Sequence, residues 1–480
     1  MNKMFVFLII PIVVFSQDLS SHLPIISINT NNQNILDSPR IICDMGVINN
    51  PLGVNNSTDV HNDYSGKINV EIRGSSSQMY PKKSYSFETQ NMDGSNNNVS
   101  LLGLPAENDW VLYAPYSDKS LLRNALTYSL FQKMGNYAPR FKYCELIIND
   151  QYQGVYVLLE KIKRDDNRVN IKKFDGDDIT GGYIIKIDKL TDGSQNDMWC
   201  CNAKEEKSSL CFQYHYPKPE DITDQQKIYI QSFVDNTIDS IYSAFIDDSN
   251  LNHLSTIDVA SFVDYFIITE LSKNVDGYIL STFMYKDSDE NLGKLSMGPI
   301  WDYNLAYGNV NYCDAFTTVD WRLTQNQCTS GMPMLWRYLL QNTGFYEALI
   351  TRWFTLRENI LSTDSVFRYI DEIVLEINPS EKRNFNKWDI LAEYVWPNYN
   401  ISRSHRGEVE FIKHWLFNRL AWIDKNITEI ESILNVCSVN QDNLVQIIDQ
   451  LGRSVSRKSG QTLFYIYQNG CVEKKLISYY

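Results

Sequence analysis

The side chains with the most chemical potential lie between Asn274 and Gly308, in NVDGYILSTFMYKDSDENLGKLSMGPIWDYNLAYG. A helix is expected to end near Asn274, which puts Asp276 on the turn that follows it. ILSTFMYK and KLSMGPIW read as a strand hairpin around the loop 287–293, and Asp302 comes directly after the second strand. Two carboxylates at the ends of adjacent strands can hold a divalent cation and orient a hydroxyl in one cleft. The same two residues also fit a turn aspartate and a helix N-cap. A second segment, VEIRGSSSQMYPKKSYSFE, has a strand ending in Arg73-Gly74, a run of serines, and a return strand carrying Lys82 and Lys83. Turn amides followed by a cation form a phosphate cradle; a solvated hairpin has the same composition.

These segments need elements to position them. LPIISINT, PRIICDMGVI, GKINVEIRG, KKSYSFET, DWVLYAPY, KYCELIIND, YQGVYVLLEKI and GGYIIKID all read as strands, divided by Asn/Gly/Ser turns. SDKSLLRNALTYSLFQKMG reads as a helix with Ser117 or Asp118 as cap and Gly135 as stop. From about Asp221 the period becomes helical, through QQKIYIQSFVDNTIDSIYSAF, DVASFVDYFIITELSKN, MLWRYLLQNTGFYEALITRWFTLRENIL and GEVEFIKHWLFNRLAWIDKNITEIESIL. The expectation is an α+β chain: a sheet-rich lobe over 17–190, a helical lobe over 191–437, and a small all-β segment over 438–480. The polar stretch Thr191 to Ser209 is the expected interlobe loop, and a cleft between the lobes is the expected ligand site.

The first residues, MNKMFVFLIIPIVVFSQ, have the layout of a secretory signal peptide over 1–16, with cleavage near Ser16 and Gln17. No later apolar stretch reaches the roughly 20 residues that a spanning helix needs, so no membrane-spanning segment is expected once the leader is removed. A net charge of −14 over 480 residues argues against a nucleic-acid partner. The nine cysteines show no paired C-x-x-C arrangement for structural zinc. Export permits disulfides, with Cys313–Cys328 and either Cys200 or Cys201 with Cys211 as the local candidates. The six histidines lack H-x-x-x-H spacing, and neither a G-x-S-x-G elbow nor a G-x-x-x-x-G-K-[ST] loop occurs.

IRGSSS with PKKSY, LLRNAL, NDQYQGVYVLLEKIK, GGYIIKIDK, NVDGYILSTFMYK and WDYNLAYGN stand in the order found in CotH-family atypical kinases, which the chain resembles from Val70 to Gly308. The resemblance continues through RNFNKW and EYVWPN to about residue 430. It implies a two-lobed, protein-kinase-like fold that uses ATP with Mg2+ or Mn2+ to phosphorylate Ser or Thr hydroxyls of a protein substrate at the surface or outside the cell. Under it, Lys83, with Lys82 as the alternative, binds the ATP phosphates; Asp276 is the catalytic aspartate; Asp302 binds metal. Arg73 is implied at phosphate, Glu160 at a lysine or the nucleotide, and Arg123 in a structural salt bridge. Ser281 stands where ordinary kinases place a metal-binding asparagine, and Asn304 where many family members carry aspartate. Both changes remove ligand strength from the metal site, which leaves a non-catalytic adhesin or structural surface protein as the second reading. Finally, IIDQLGR with GQTLFYIY resembles a type A sorting domain of the type IX secretion system. That likeness implies the secretion machinery as a partner and a secreted or cell-surface location.

Overall fold

From Asp109 to Glu160 the strands carry apolar residues on both faces, a pattern that a one-sided sheet cannot bury. In the computed structural model the chain meets this demand by closing the sheet on itself. The structure describes residues 18–174, 178–189, 197–201, 210–246, 254–325, 334–430, 444–449, 453–455, 462–467 and 472–476. The expected leader lies outside them.

The first elements are β1 (Ser20–Ser21), β2 (Ile25–Asn29), β3 (Ile41–Ile48), β4 (Asn55–Asn56), β5 (Tyr64–Arg73), β6 (Ser84–Gln90), β7 (Asp109–Tyr113), α1 (Arg123–Lys133), β8 (Phe141–Ile148) and β9 (Gln151–Glu160). β1 pairs with β4, and the rest form a closed barrel in the order β2-β3-β5-β6-β7-β9-β8, with β2 and β8 joined in parallel. Because side chains alternate along a strand, Trp110, Leu112, Tyr156 and Leu158 fill the barrel. Val111, Val155, Val157 and Leu159 point the other way and pack with Leu122 and Leu126 beside α1.

The remaining elements are β10 (Tyr183–Ile187), β11 (Met198–Cys201), β12 (Leu210–Tyr216), α2 (Asp224–Ile246), α3 (Val259–Ser272), β13 (Thr282–Lys286), β14 (Leu295–Met297), α4 (Met334–Leu340), α5 (Thr343–Glu358), α6 (Thr363–Ile377), α7 (Ser380–Lys387), α8 (His405–Asn426), β15 (Leu444–Ile448), β16 (Thr462–Tyr467) and β17 (Val472–Leu476). β10 to β14 make an antiparallel sheet in the order β11-β12-β10-β13-β14, and β15-β16-β17 make a separate three-stranded sheet. The α+β class is as expected. Among the described residues, no helix is long and apolar enough to cross a membrane.

Several local expectations change. The helix expected from Ser117 starts at Arg123, because Leu121 takes a left-handed φ of 64° and the Asp118 carboxylate accepts the Arg123 backbone N–H at 2.8 Å. The long helix expected from Met334 breaks at Asn342, whose side chain caps α5 by accepting from Phe345 N at 3.0 Å. Within the expected interlobe loop, Met198–Cys201 is a strand paired to β12. There Cys200 stands directly opposite Cys211, and the two are joined in a disulfide. Cys313 is also disulfide-bonded, and its expected partner Cys328 lies outside the described residues. The expected division at 190/191 passes through a single sheet, since β10 pairs with both β12 and β13.

Candidate active site

α3 ends at Ser272 and is capped by Lys273, which adopts a left-handed φ of 46°. The chain then turns through Asn274, Val275 and Asp276, with the Asp276 N–H donating to Asn274 Oδ1 at 3.4 Å. Gly277 is required here, because a Cβ would sit 2.3 Å from Thr269 Cγ2. A buried carboxylate fixes the turn from behind. Glu270 accepts from Tyr278 Oη (2.9 Å), Arg322 N (2.7 Å) and Leu323 N (2.9 Å), and the Arg322 side chain donates to Val275 O at 2.7 and 3.0 Å.

The strand hairpin expected after this turn is present as β13 and β14, and Asp302 follows it with a left-handed φ of 63°. Helix α1 holds the Asp302 loop from one face. Tyr128 Oη accepts the Asp302 N–H at 3.2 Å, Asn124 Oδ1 accepts the Tyr303 N–H at 2.7 Å, and Arg123 Nε donates to Ala306 O at 2.9 Å. Arg123 also forms a buried 2.6 Å ion pair with Asp118, the structural role expected of it.

Asp276 and Asp302 line one cavity of about 590 Å³ on the outer face of the barrel, together with Arg73, Ser281 and Asn304. Burial raises the Asp302 carboxyl to about 6, with Asp276 and Asp188 pushing it up and Arg73 and Lys189 opposing them. Asp276 is also raised, chiefly by burial, against the pull of Arg322 and Lys189. Asp302 therefore lies within the field of Asp276, and the cations facing the two carboxyls offset only part of the upward shift that burial imposes.

Three residues expected at the site, Lys83, its alternative Lys82, and Glu160, are placed elsewhere. Lys83 donates to Gln78 O and does not line the cavity. Lys82 is buried between barrel and helix, donating to Val155 O (2.6 Å) and to Asn384 Oδ1 of α7 (2.8 Å), and burial lowers its amine to about 7. Glu160 is fully buried away from the cavity; it accepts from Arg140 Nη2 at 2.7 Å, Arg140 N at 3.0 Å and Tyr137 Oη at 3.1 Å, so its partner is an arginine, not a lysine.

The cavity's lysines are instead Lys161, Lys186 and Lys189, with Asp188 among them. Lys189 Nζ reaches Ser76 Oγ at 3.5 Å, which brings a cation to the Gly-Ser turn that the sequence had assigned to Lys83. Lys186 pairs with Asp188 at 3.2 Å. A signal for these residues exists in GGYIIKIDK, where Lys186 and Asp188 alternate at the end of a strand.

The residues also fit a hard cation. Asn304 Oδ1 is buried without a hydrogen-bond partner, an acceptor left for something other than protein, and it lies two residues from Asp302. Among the described residues no cluster of three or more His, Cys, Asp or Glu could cage an ion. A magnesium site built from one or two protein ligands plus substrate oxygens needs no such cage.

A family model described as CotH kinase protein matches residues 70–423, about three quarters of the chain. The chain is also similar to the inner spore coat protein H of Bacillus subtilis (strain 168), with 22% identity over 244 residues. That match spans 50% of this chain and 59% of the relative. With a family model that runs from the end of β5 through barrel strands β6 to β9, the five-stranded sheet and the helices up to residue 423 of α8, the chain belongs to the CotH kinase protein family.

Proposed function

We propose that this chain is a secreted kinase that transfers phosphate from Mg-ATP, or Mn-ATP, to Ser or Thr hydroxyls of a protein at the cell surface or beyond it. The observation that carries this reading is the convergence of Asp276 and Asp302 on one cavity opposite Arg73 and Lys189. Bound metal-ATP supplies the transferable phosphoryl group and the charge neutralisation that loosens it. The protein's own tasks are positional. Asp276 orients the substrate hydroxyl and takes its proton as the new P–O bond forms and ADP leaves. Arg73, Lys189 and the turn around Ser76 would hold the phosphates, and Asp302 with Asn304 Oδ1 would hold the ion. Ser281 lines the same cavity as a weaker neutral ligand.

The test is incorporation of labelled phosphate from ATP with Mg2+ or Mn2+ by the purified chain. Asp276→Ala and Asp302→Ala should each abolish it, and equal labelling by wild type and Asp302→Ala would overturn the reading. Ser281 and Asn304, both uncharged at metal positions, favour a second reading as a non-catalytic surface protein. That reading predicts no labelling by wild type under any metal.

Export by the leader and through the type IX system belongs to the same proposal. The Cys200–Cys211 disulfide supports it, because such bonds persist in oxidising compartments. Deleting the residues after Cys437 should trap the protein in the periplasm, and unchanged surface display would refute the sorting role.

A further inference from the structure

The cavity has two chemically different ends. Asp302 is under the influence of Asp276, Arg73, Asp188 and Lys189. His215, on the same cavity's wall, responds instead to Lys186, Lys161 and Asp109. Beside His215 stand the apolar Ile162 and, from β13, Phe283, with Lys161 and Lys186 acting on the ring, and Leu159 lines the same cavity. The Lys186–Asp188 pair joins the two ends.

The His215 ring is fixed in orientation and in tautomer. It stands perpendicular to Phe283 at 5.2 Å. Its Nε2 lies 2.9 Å from Ile162 O, and a carbonyl oxygen can only accept, so Nε2 carries the proton. Burial lowers the ring's pKa to about 4, and Lys186 and Lys161 act in the same direction, so the imidazole is neutral at physiological pH. Nδ1 is therefore a bare lone pair that makes no hydrogen bond to any described residue.

A lone pair in this position selects its partner. A phosphate or carboxylate oxygen has no proton to give it, and an ammonium group is disfavoured by the two lysines. A neutral N–H on a flat aromatic body meets both the apolar wall and the acceptor. We propose that His215 is the residue that reads the nucleobase, its Nδ1 accepting a hydrogen bond from the exocyclic amino group of adenine seated against Phe283, Leu159 and Ile162. The inference rests on the phosphotransfer reading above and names its donor's base.

The experiment compares ADP with purine riboside 5′-diphosphate, which lacks only the amino group, by calorimetric titration of the full chain. Wild type should bind ADP about tenfold more tightly, the worth of one net hydrogen bond with its desolvated partner. His215→Phe keeps the ring but not the acceptor and should bind both ligands equally. A preference that survives in His215→Phe overturns the role of His215, as does wild type that does not discriminate. Binding of neither nucleotide by wild type overturns the phosphotransfer reading itself. A readout on wild type alone removes dependence on the variant's folding: the 15N resonance of His215 Nδ1 should shift towards lower frequency with ADP and stay in place with purine riboside 5′-diphosphate. An unmoved resonance at saturating ADP also refutes the contact.

Discussion

The guanidinium of Arg73 lies 5.1 Å from the centre of the Trp301 indole, and Trp301 immediately precedes Asp302. The stacking plane thus holds a cation beside the carboxylate whose charge it offsets. Arg73→Met should weaken ADP binding about ten- to a hundredfold, as expected for losing a desolvated charge-assisted contact. Arg73→Lys should recover only part of this, because a lysine restores charge without a planar stacked fork. Calorimetric titration of the three proteins measures it.

Asp302 gives a pH signature of stability. Its carboxyl is raised from 3.8 to about 6 in the fold, so between those values the folded chain keeps a proton that the unfolded chain has released. Stability from this group is therefore greatest at low pH and falls as pH rises from about 4 to 6. Asp302→Asn should be more stable than wild type by about 1–3 kcal/mol at pH 7.5, with the gap closing near pH 4. Thermal melts in chelator-containing buffer across that range decide it, and wild type melting above the variant at pH 7.5 would contradict it.

The lysines separate two accounts of phosphate binding. Lys83 faces Gln78 O outside the cavity, whereas Lys189 lines it. Lys83→Ala should leave ADP affinity within about twofold, while Lys189→Ala should lower it about tenfold. The opposite ranking would return the phosphate role to Lys83.

Glu270 carries the turn that presents Asp276. It is 1% exposed, accepts three hydrogen bonds from Tyr278, Arg322 and Leu323, and pairs with Arg419 at 3.3 Å. Glu270→Ala removes the counter-charge beside buried Arg419 and the acceptor of the Tyr278 hydroxyl and of the Arg322 and Leu323 backbone N–H groups, and should cost about 3–5 kcal/mol in urea denaturation. A loss below about 1 kcal/mol would show that the turn is held by other contacts.

The disulfide between Cys200 and Cys211 closes a short segment, 11 residues apart, on adjacent strands. Cys200→Ser with Cys211→Ser should lower stability by about 2–3 kcal/mol, read as a fall in melting temperature relative to wild type, both without reductant. An unchanged melting temperature in the double variant would mean that the bond constrains neither state.

Local pattern made part of the site legible. Alternation in ILSTFMYK and KLSMG predicts the β13–β14 hairpin, and a helix stop before Asp276 predicts its turn, because neither depends on distant residues. Face and register were harder to read. Arg73 pairs with Ser84 across β5 and β6, and both line the cavity. Lys83 is one residue off that register, and a shift of one position sends a side chain elsewhere. Lys186 and Asp188 carried a strand signal, but nothing in the chain alone said that the sheet they belong to would face the barrel. Asn124 and Tyr128 read only as polar positions on a helix until the 302–306 loop was laid across them.

By itself the sequence determined most barrel strands, the β13–β14 hairpin and the principal helices, the two carboxylates at the ends of a turn and a hairpin, and the resemblance to a kinase family. Those follow from periodicity and from short motifs, which are properties of neighbouring residues. The tertiary structure decided which cations meet those carboxylates: it took Lys82, Lys83 and Glu160 into structural contacts and brought Lys189, Lys186, Asp188 and His215 to the cavity. The physical reason is that barrel closure and the packing of a second sheet against its outer face set side-chain direction over long sequence separations, and no local pattern encodes that juxtaposition.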